Sequence, residues 1–357
     1  MPAGVLWMVL VSAIALIGQA VVFGYMGLKG IRYDRRLSRT RVFEGEQIRY
    51  EETLENHKAL PVPWLRVESE IPISLKFTNA QEEEEQDSHH HSALFFLWPL
   101  TKVVRRYDVT CQRRGVYQMN TVAMTVGDLF SFKVSMRSFS LGLSLLVYPK
   151  LLSPNEAQIP STRLQGDLMV RRFINPDPFL YSGIRPYAPG DVMRDIHWRA
   201  SARSAQLMIK QRDFTAQPKL MLILNIQPEE LLWERISPES EAALEHAISL
   251  CATFAMRALD AGLQVGFGTN AQVRGSQNEV LFLHPKSGEN QREEILEAMA
   301  RMALVRQHNF HSYLSMMPLV DDTDFMVLTS YQSELIAKTA QRVRDRGNTV
   351  TFINIAH

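Results

Sequence analysis

The chain has 357 residues, with 39 Lys plus Arg against 38 Asp plus Glu and a formal net charge of +1. With 46% hydrophobic and 22% charged residues it can bury a core, which excludes a disordered tail and a polytopic membrane protein, and its length suggests about two domains. The near-neutral balance gives no global reason to expect nucleic acid, and Cys111 and Cys251 are too few and too far apart for a disulfide scaffold or a clustered thiolate site.

Residues 1–28 carry no charged side chain and are mostly apolar. At about 1.5 Å of rise per residue, some 20 apolar residues cross a hydrocarbon core of about 30 Å, so this segment is predicted to be a transmembrane helix in contact with the lipid bilayer. A cleaved signal peptide would want a basic start, a shorter apolar stretch and a small-residue cleavage site, none of which is clear. Residues 29–41 follow as a basic juxtamembrane segment, Lys29, Arg32, Arg35, Arg36, Arg39 and Arg41 against Asp34. Bases after the helix and none before it predict a single-pass protein with its N-terminus outside and its later domains in the cytoplasm. The collar either serves as this topology signal alone or also meets anionic headgroups.

Residues 42–150 read as an immunoglobulin-like β-sandwich, because short runs rich in Val, Ile, Tyr, Phe and Thr alternate with Gly, Pro and Asn breaks. Tyr107, Val109 and Cys111 face one way and Arg106, Asp108 and Thr110 the other, the period of a half-buried strand. A turn is expected at Arg113-Arg114-Gly115, alternation again at Val122, Met124 and Val126, and a last strand from Leu143 to Tyr148. The run from Glu82 to Glu85, with His89, His90 and His91 close behind, is expected to be a solvated hairpin loop. Consecutive residues of an extended chain point to opposite sides, so three adjacent histidines do not converge on one ion.

Residues 151–218 form a connecting segment with one dense constellation, from Tyr181 to Arg203. Pro189-Gly190 is a type II turn signal, and Asp191 then suits the cap of a short helix carrying Arg194, Trp198 and Arg199. Two readings stand side by side. In one, Arg185, Asp191 and Arg194 make ion pairs that lock the segment in place while Trp198 fills a pocket. In the other, the same arginine and aromatic side chains are docking anchors. A hydrolase or other enzyme using the Gly183 to Arg203 segment is the alternative: His197 lies near Asp191, Asp195 and Ser201, but no nucleophile elbow or Walker glycine loop accompanies them. A nucleic-acid-binding membrane protein is a second alternative, resting on the arginines between Arg163 and Arg212, with no recognition helix or zinc motif to frame them.

Residues 219–357 alternate strands and helices, the pattern of an α/β doubly wound domain. The apolar run from Lys219 to Ile226 suits a strand buried on both faces. Ser237-Pro238-Glu239 opens a helix whose apolar face runs through Leu244, Ile248, Cys251 and Ala255, and Gly262 stops it. Strands are predicted over 263–268, 280–283, 325–329 and 349–355, and further helices over 291–304 and 333–346.

The constellation resembles the signature of the domain of unknown function 58 family, a bacterial group, through Gly183, Arg185, Tyr187, Pro189-Gly190-Asp191, Arg194, Trp198 and Ser201-Ala202-Arg203. Arg114-Gly115-Val116-Tyr117 and Gly127-Asp128-Leu129-Phe130 resemble the family's β-region pattern. An N-terminal anchor is usual there, often with two spanning helices where this sequence has one. The resemblance implies a von Willebrand factor A-like α/β domain and a partnership with a MoxR-type AAA ATPase, and no established enzymatic activity. In such A-type domains the first strand ends in an Asp-x-Ser-x-Ser magnesium site; the positions here are Asn225, Gln227 and Glu229. Two neutral amides and one carboxylate form a poor site for a hard cation, so neither a metal nor a cofactor is expected. The expected function is a membrane-anchored, cytoplasm-facing scaffold or adaptor working with that ATPase in an envelope or complex-assembly process.

Overall fold

The computed structural model describes residues 2–78, 82–84, 88–128, 130, 134–153, 156, 183–188, 193, 196–204, 206–211, 219–229, 237–275, 280–318 and 320–355. Helix α1 covers Pro2–Met26 and, from Gly4 to Met26, is long and apolar enough to cross a membrane. The contacts of the chain divide it into two units, Met1–Lys150 and Leu151–His357.

In the first unit two sheets face each other. Strands β1 (Ile31–Leu37), β2 (Arg41–Phe43), β3 (Gln47–Asn56), β4 (Val62–Pro72), β5 (Leu75–Thr78), β6 (Glu82–Glu84), β7 (Ser88–Leu97), β8 (Lys102–Cys111), β9 (Gly115–Gly127) and β10 (Val134–Tyr148) appear in chain order. They form a four-stranded sheet ordered β1-β3-β8-β5 and a six-stranded sheet ordered β2-β10-β9-β4-β7-β6. Alternate residues of both sheets point between them, building one apolar cluster around Leu54, Leu65 and Val122 and another around Ile48, Leu75 and Leu145.

The strands differ from the sequence reading in three places. The collar, expected as a basic juxtamembrane segment over 29–41 apart from the sandwich, contributes a strand to it: β1 pairs with β3 from Ile31↔Asn56 to Leu37↔Tyr50. Its pattern has period two, with Tyr33 and Arg35 buried, and the charge of Arg35 conceals an inward-facing position. The acidic and histidine-rich run does form a hairpin, Glu82↔His91 to Glu84↔His89, but His91 is buried rather than solvated. The last strand is longer than expected, since β10 runs from Val134 and carries an irregularity between Ser140 and Leu143 around Gly142, whose φ is 62°.

The second unit contains β11 (Gly183–Pro186), α2 (Trp198–Ser204), β12 (Met208–Gln211), β13 (Lys219–Leu224), α3 (Pro238–Asp260), β14 (Gln264–Thr269), β15 (Ala271–Val273), β16 (Leu281–Lys286), α4 (Glu289–Arg301), β17 (Met302–Arg306), α5 (Phe310–Met316), β18 (Thr323–Thr329), α6 (Glu334–Arg344) and β19 (Thr349–Asn354). Its main sheet is ordered β16-β14-β13-β18-β19, all parallel except the edge strand β16. Taken in sequence order these strands lie 3-2-1-4-5, a doubly wound arrangement. Central β13 is buried along almost its whole length, as its unbroken apolar run requires.

Ser237 caps α3, its side chain accepting from the Ser240 backbone N–H at 3.3 Å. The helix expected over 291–304 instead spans Glu289–Arg301, and Met302-Ala303-Leu304-Val305 belongs to β17, which pairs with β15. That apolar run suits either state, and the partner strand decides between them. Close packing on one face of the sheet depends on Gly268, where an added Cβ would come within 2.1 Å of the buried Tyr313 hydroxyl. That hydroxyl donates to the Leu281 carbonyl at 2.9 Å.

Candidate functional site

In an open doubly wound sheet the usual ligand crevice lies beyond the carboxyl ends of the strands, where the strand order reverses. Here that point falls between β13 and β18, and Asn225 and Gln227 sit there. Asn225 is buried; its Nδ2 donates to Thr329 Oγ1 at 2.9 Å, and its Oδ1 accepts from the Gln227 N–H at 2.9 Å and from Asn270 Nδ2 at 3.0 Å. Asn270 Oδ1 in turn accepts from the Ile226 N–H. Gln227 Nε2 donates to the Glu229 carbonyl at 2.8 Å, and its Oε1 accepts from the Phe310 N–H at 3.0 Å. Ser330 closes the remaining side by donating to the carbonyls of Gln227 and Pro228.

Among the described residues, the crest at this point is therefore cross-linked by neutral amides and hydroxyls. The side-chain oxygens of Asn225 and Gln227 already accept N–H groups, and both amide side chains are buried. Such a donor set does not fit magnesium, which demands near-ideal octahedral oxygen ligands, usually carboxylates and water. Among the described residues no group of three or more His, Cys, Asp or Glu side chains is placed to hold a metal ion.

The signature segment forms a small substructure of its own. Gly183 to Pro186 pairs antiparallel with Met208 to Gln211, and the Tyr187 N–H donates to the Leu207 carbonyl at 2.8 Å. Between these strands, His197 Nδ1 accepts from the Ala200 N–H at 3.0 Å at the start of α2. Ser201 Oγ donates to the His197 carbonyl at 3.1 Å and accepts from the Met208 N–H at 2.8 Å, tying α2 to β12. The buried side chains of Ile196 and Ile209 meet beneath, across an isolated bridge.

The serine and histidine weighed as a hydrolase pair thus hold backbone together, and the Ser201 hydroxyl bonds the histidine's carbonyl rather than its ring. Trp198, expected on one reading to fill a pocket, is 68% exposed, and α2 buries none of its residues. At 100° per residue Trp198, Arg199, Ala202 and Arg203 share one face of the helix, all exposed. Arg185 Nη1 donates to the Pro186 carbonyl at 3.1 Å, and Tyr187 is half-buried. Gly190, Asp191, Arg194 and Asp195 lie outside the described residues.

A second polar cluster, unmarked by sequence reasoning, occupies the middle of the sandwich. Glu52 of β3 is buried there; its Oε1 accepts from the Tyr33 hydroxyl at 2.7 Å, from the Tyr50 hydroxyl at 3.0 Å and from Arg35 Nη2 at 3.4 Å. Arg35 also donates through Nε to the Tyr33 hydroxyl. Across the core, His91 Nε2 of β7 stands 3.8 Å from Glu52 Oε2, within ion-pair range but beyond a direct hydrogen bond. The His91 ring stacks on Phe77 and meets Tyr107 edge-on. Burial pushes the Glu52 carboxyl upward, yet His91 and the Arg35 guanidinium outweigh it and hold the group below its ordinary value. Burial first, and the Glu52 carboxylate second, push the phenols of Tyr33 and Tyr50 up. The one available sequence signal was inward phase: Tyr33 and Arg35, like Tyr50 and Glu52, alternate with outward-facing polar residues.

Residues 183–342 match the family described as protein of unknown function DUF58. An uncharacterized protein, YeaD, of Bacillus subtilis (strain 168) is 20% identical over 266 residues, which cover 74% of this chain and 62% of that protein. The chain thus spans less than two thirds of that relative's length. Among solved structures, the CARDB domain of the PF1109 protein from Pyrococcus furiosus is 15% identical, with a TM-score of 0.21, over 33% of this chain and 91% of that one. A cohesin module from a Clostridium perfringens family 33 glycoside hydrolase is 9% identical, with a TM-score of 0.21, over 32% of this chain and 96% of that one.

Proposed function

We propose that this chain, whose residues 183–342 match the DUF58 family, is a membrane-anchored scaffold whose second unit docks a MoxR-type AAA ATPase. The observation that carries the reading is the exposed face of α2, where Trp198, Arg199 and Arg203 stand on a helix that buries nothing. A protein that spends an indole on solvent while pinning its helix from beneath with Ser201 and Ile196 has built a presenting surface, and tryptophan and arginine are favoured interface anchors. The cross-linked crest favours a scaffold over a small-molecule enzyme, because the amides at the place where such folds bind ligands are already bonded to one another and to backbone.

The von Willebrand factor A-like reading of this unit is supported by the 3-2-1-4-5 order and by Asn225, Gln227 and Glu229 following the central first strand. Single-pass insertion with the later domains in the cytoplasm is supported by the apolar length of α1 and by the bases that follow it. Arg35 drops out of that tally as a free surface charge, since it is buried against Glu52, and Lys29, Arg32, Arg36, Arg39 and Arg41 carry the asymmetry.

Affinity capture of the full chain from detergent-solubilised native membranes tests the proposal. Wild type is expected to recover a MoxR-type ATPase, and Trp198→Ala and Arg185→Ala variants with unchanged thermal unfolding are expected to lose most of it. Recovery at wild-type levels by both variants would remove this segment as the contact, and failure of wild type to recover any such ATPase would remove the partner.

A further inference from the structure

The end of the sandwich nearest α1 carries an unusual surface. Four chain segments meet there: the end of α1, the β3–β4 connection, the β7–β8 connection and, at the paired ends of β9 and β10, Asp128 and Ser135. Hydrogen bonds tie them together. Lys58 Nζ donates to the Met26 carbonyl at 2.6 Å and also to that of Gly27; Ser135 Oγ donates to the Gly24 carbonyl at 3.1 Å; Gln19 Nε2 donates to Asp128 Oδ2 at 2.9 Å. The Leu100 N–H donates to the Lys58 carbonyl at 3.2 Å, which brings the β7–β8 tip to the same level. Phe23 and Gly27 are buried against this end, and Leu28 packs on the sandwich core. The helix and the sandwich are therefore joined side by side over two turns of helix, with no free linker between them.

At that level large apolar side chains face outward. Leu100 is 73% exposed, Trp98 64%, Phe130 61% and Phe96 49%, and Val134 is exposed with them. The register explains how they line up. Val134 pairs with Gly127, Gly127 pairs with Trp64, and Phe96 lies on the next strand, β7, facing out like Trp98. An added Cβ on Gly127 would come within 2.1 Å of Trp64, so the glycine is what lets that indole lie flat across the row. Phe96 and Trp98 meet edge-on with centroids 5.2 Å apart. Leu100 holds a positive φ of 53°, a conformation that costs a non-glycine residue energy and is kept where the surroundings impose it.

From this geometry we infer that the rim formed by Phe96, Trp98, Leu100, Phe130 and Val134 is a second membrane contact, seated in the interfacial layer of the bilayer that α1 crosses. The inference rests on the reading of α1 as a spanning helix. Pro2 to Gln19 alone rises about 26 Å, close to a full hydrocarbon thickness of about 30 Å. The membrane boundary therefore falls alongside residues 19–26, the stretch to which Asp128 and Ser135 are bonded. Lipid packed around α1 must meet Phe130 and Val134 at that depth. Tryptophan and tyrosine are enriched at this level of membrane proteins, and Tyr25, exposed with the Lys29 ammonium 3.5 Å over its ring, shares it. A sandwich held this way is fixed in tilt as well as tethered.

Nitroxide depth measurement on the full chain in phosphatidylcholine/phosphatidylglycerol vesicles tests this. Labels are placed at Leu100→Cys and Phe130→Cys, with Val11→Cys in the helix and Ser144→Cys on the distal part of β10 as references. Cys111 and Cys251 are buried, and burial pushes the Cys111 thiol up to about 11 and that of Cys251 higher still, so neither competes for label at neutral pH. The rim labels are expected to collide with oxygen several-fold more, relative to a water-soluble nickel chelate, than the Ser144 label does. If they match the Ser144 label while the Val11 label reads mid-bilayer, α1 spans and the rim stands clear, which overturns the inference alone. A Val11 label that reads water overturns the spanning helix as well. Rim labels shielded from both reagents mean that a protein covers the rim, which also overturns it. As a check on unlabelled protein, lipids brominated near the headgroup are expected to quench wild-type fluorescence more strongly than that of Trp98→Phe, and equal quenching counts against the rim.

Discussion

The two units bury polar clusters of opposite character. In the sandwich, Arg35, Glu52 and His91 place ionisable groups between two apolar clusters, and Arg35 Nη1, Glu52 Oε2, Ser69 Oγ and both ring nitrogens of His91 have no hydrogen-bond partner among the described residues. At the crest of the α/β sheet, Asn225, Gln227, Asn270 and Thr329 are neutral, and their bonds to one another and to backbone close in a ring. A buried ion pair contributes little net stability, because desolvation offsets the attraction, yet removing one partner strands the other. Neutral amides cost less to bury and respond to nothing that changes protonation. The sandwich is thus stiffened by a charge-dependent lock, and the second unit by a lock indifferent to pH.

Glu52→Gln should open the widest gap between the two. It leaves the Arg35 guanidinium, almost fully buried, without its counter-charge, and is expected to destabilise the sandwich by about 3–5 kcal/mol, read by denaturant unfolding of the full chain in detergent. The pH dependence has a definite sign. The folded carboxyl lies below its ordinary value of 4.5, so its stabilisation is complete above that value and is lost as pH falls through the lower folded one. Wild type should therefore lose stability on acidification through this window, and the glutamine variant should lose less. A variant as acid-sensitive as wild type would show that Glu52 is not the group responsible.

Asn225→Leu probes the other lock. It removes the acceptor for the Gln227 N–H and Asn270 Nδ2 and the donor to Thr329, and the expected cost is about 1–3 kcal/mol, unchanged between neutral and mildly acidic pH. Asn225→Asp should bring in a pH dependence opposite to that of Glu52. A buried aspartate facing amides rather than a cation titrates above its unfolded value, so the variant should weaken as pH rises through the unfolded carboxylate range. Millimolar magnesium is expected to leave the wild-type Tm where it is, since an ion selective for the folded state would have to raise it.

The same contrast explains what could be read from sequence. Period-two alternation exposed most of the sandwich, and the unbroken Lys219 to Leu224 run exposed the central parallel strand, because both signals are local. Strand β1 was hidden by Arg35, which reads as surface charge until Glu52, seventeen residues later, is known to face it. His91 was hidden by its neighbours: beside Glu82 to Glu85 it reads as loop, and only Phe77 and Tyr107, from other strands, make its site a core one. Asn225 and Gln227 could be singled out only through the family resemblance, and their partners Asn270, Phe310 and Thr329 arrive through tertiary folding. In the signature segment, Ser201 and His197 looked like chemistry because residue types alone do not reveal that a hydroxyl is bonded to a carbonyl.

The smallest effect on stability is expected at Trp198, and there a small number is informative. The side chain lies on an α2 face with no buried residue, so Trp198→Ala should change unfolding free energy by no more than about 0.5 kcal/mol. Ser201→Ala, one turn further along the same short helix, removes the acceptor of the Met208 N–H and should cost about 1 kcal/mol or more by loosening α2 from β12. If the helix is a presenting surface, the ranking inverts when partner recovery is measured: Trp198→Ala abolishes it in a fully stable protein, while Ser201→Ala retains it in proportion to the folded fraction. Equal ranking in the two measurements would mean that α2 serves only to hold β11 and β12 together, and that its exposed indole presents nothing.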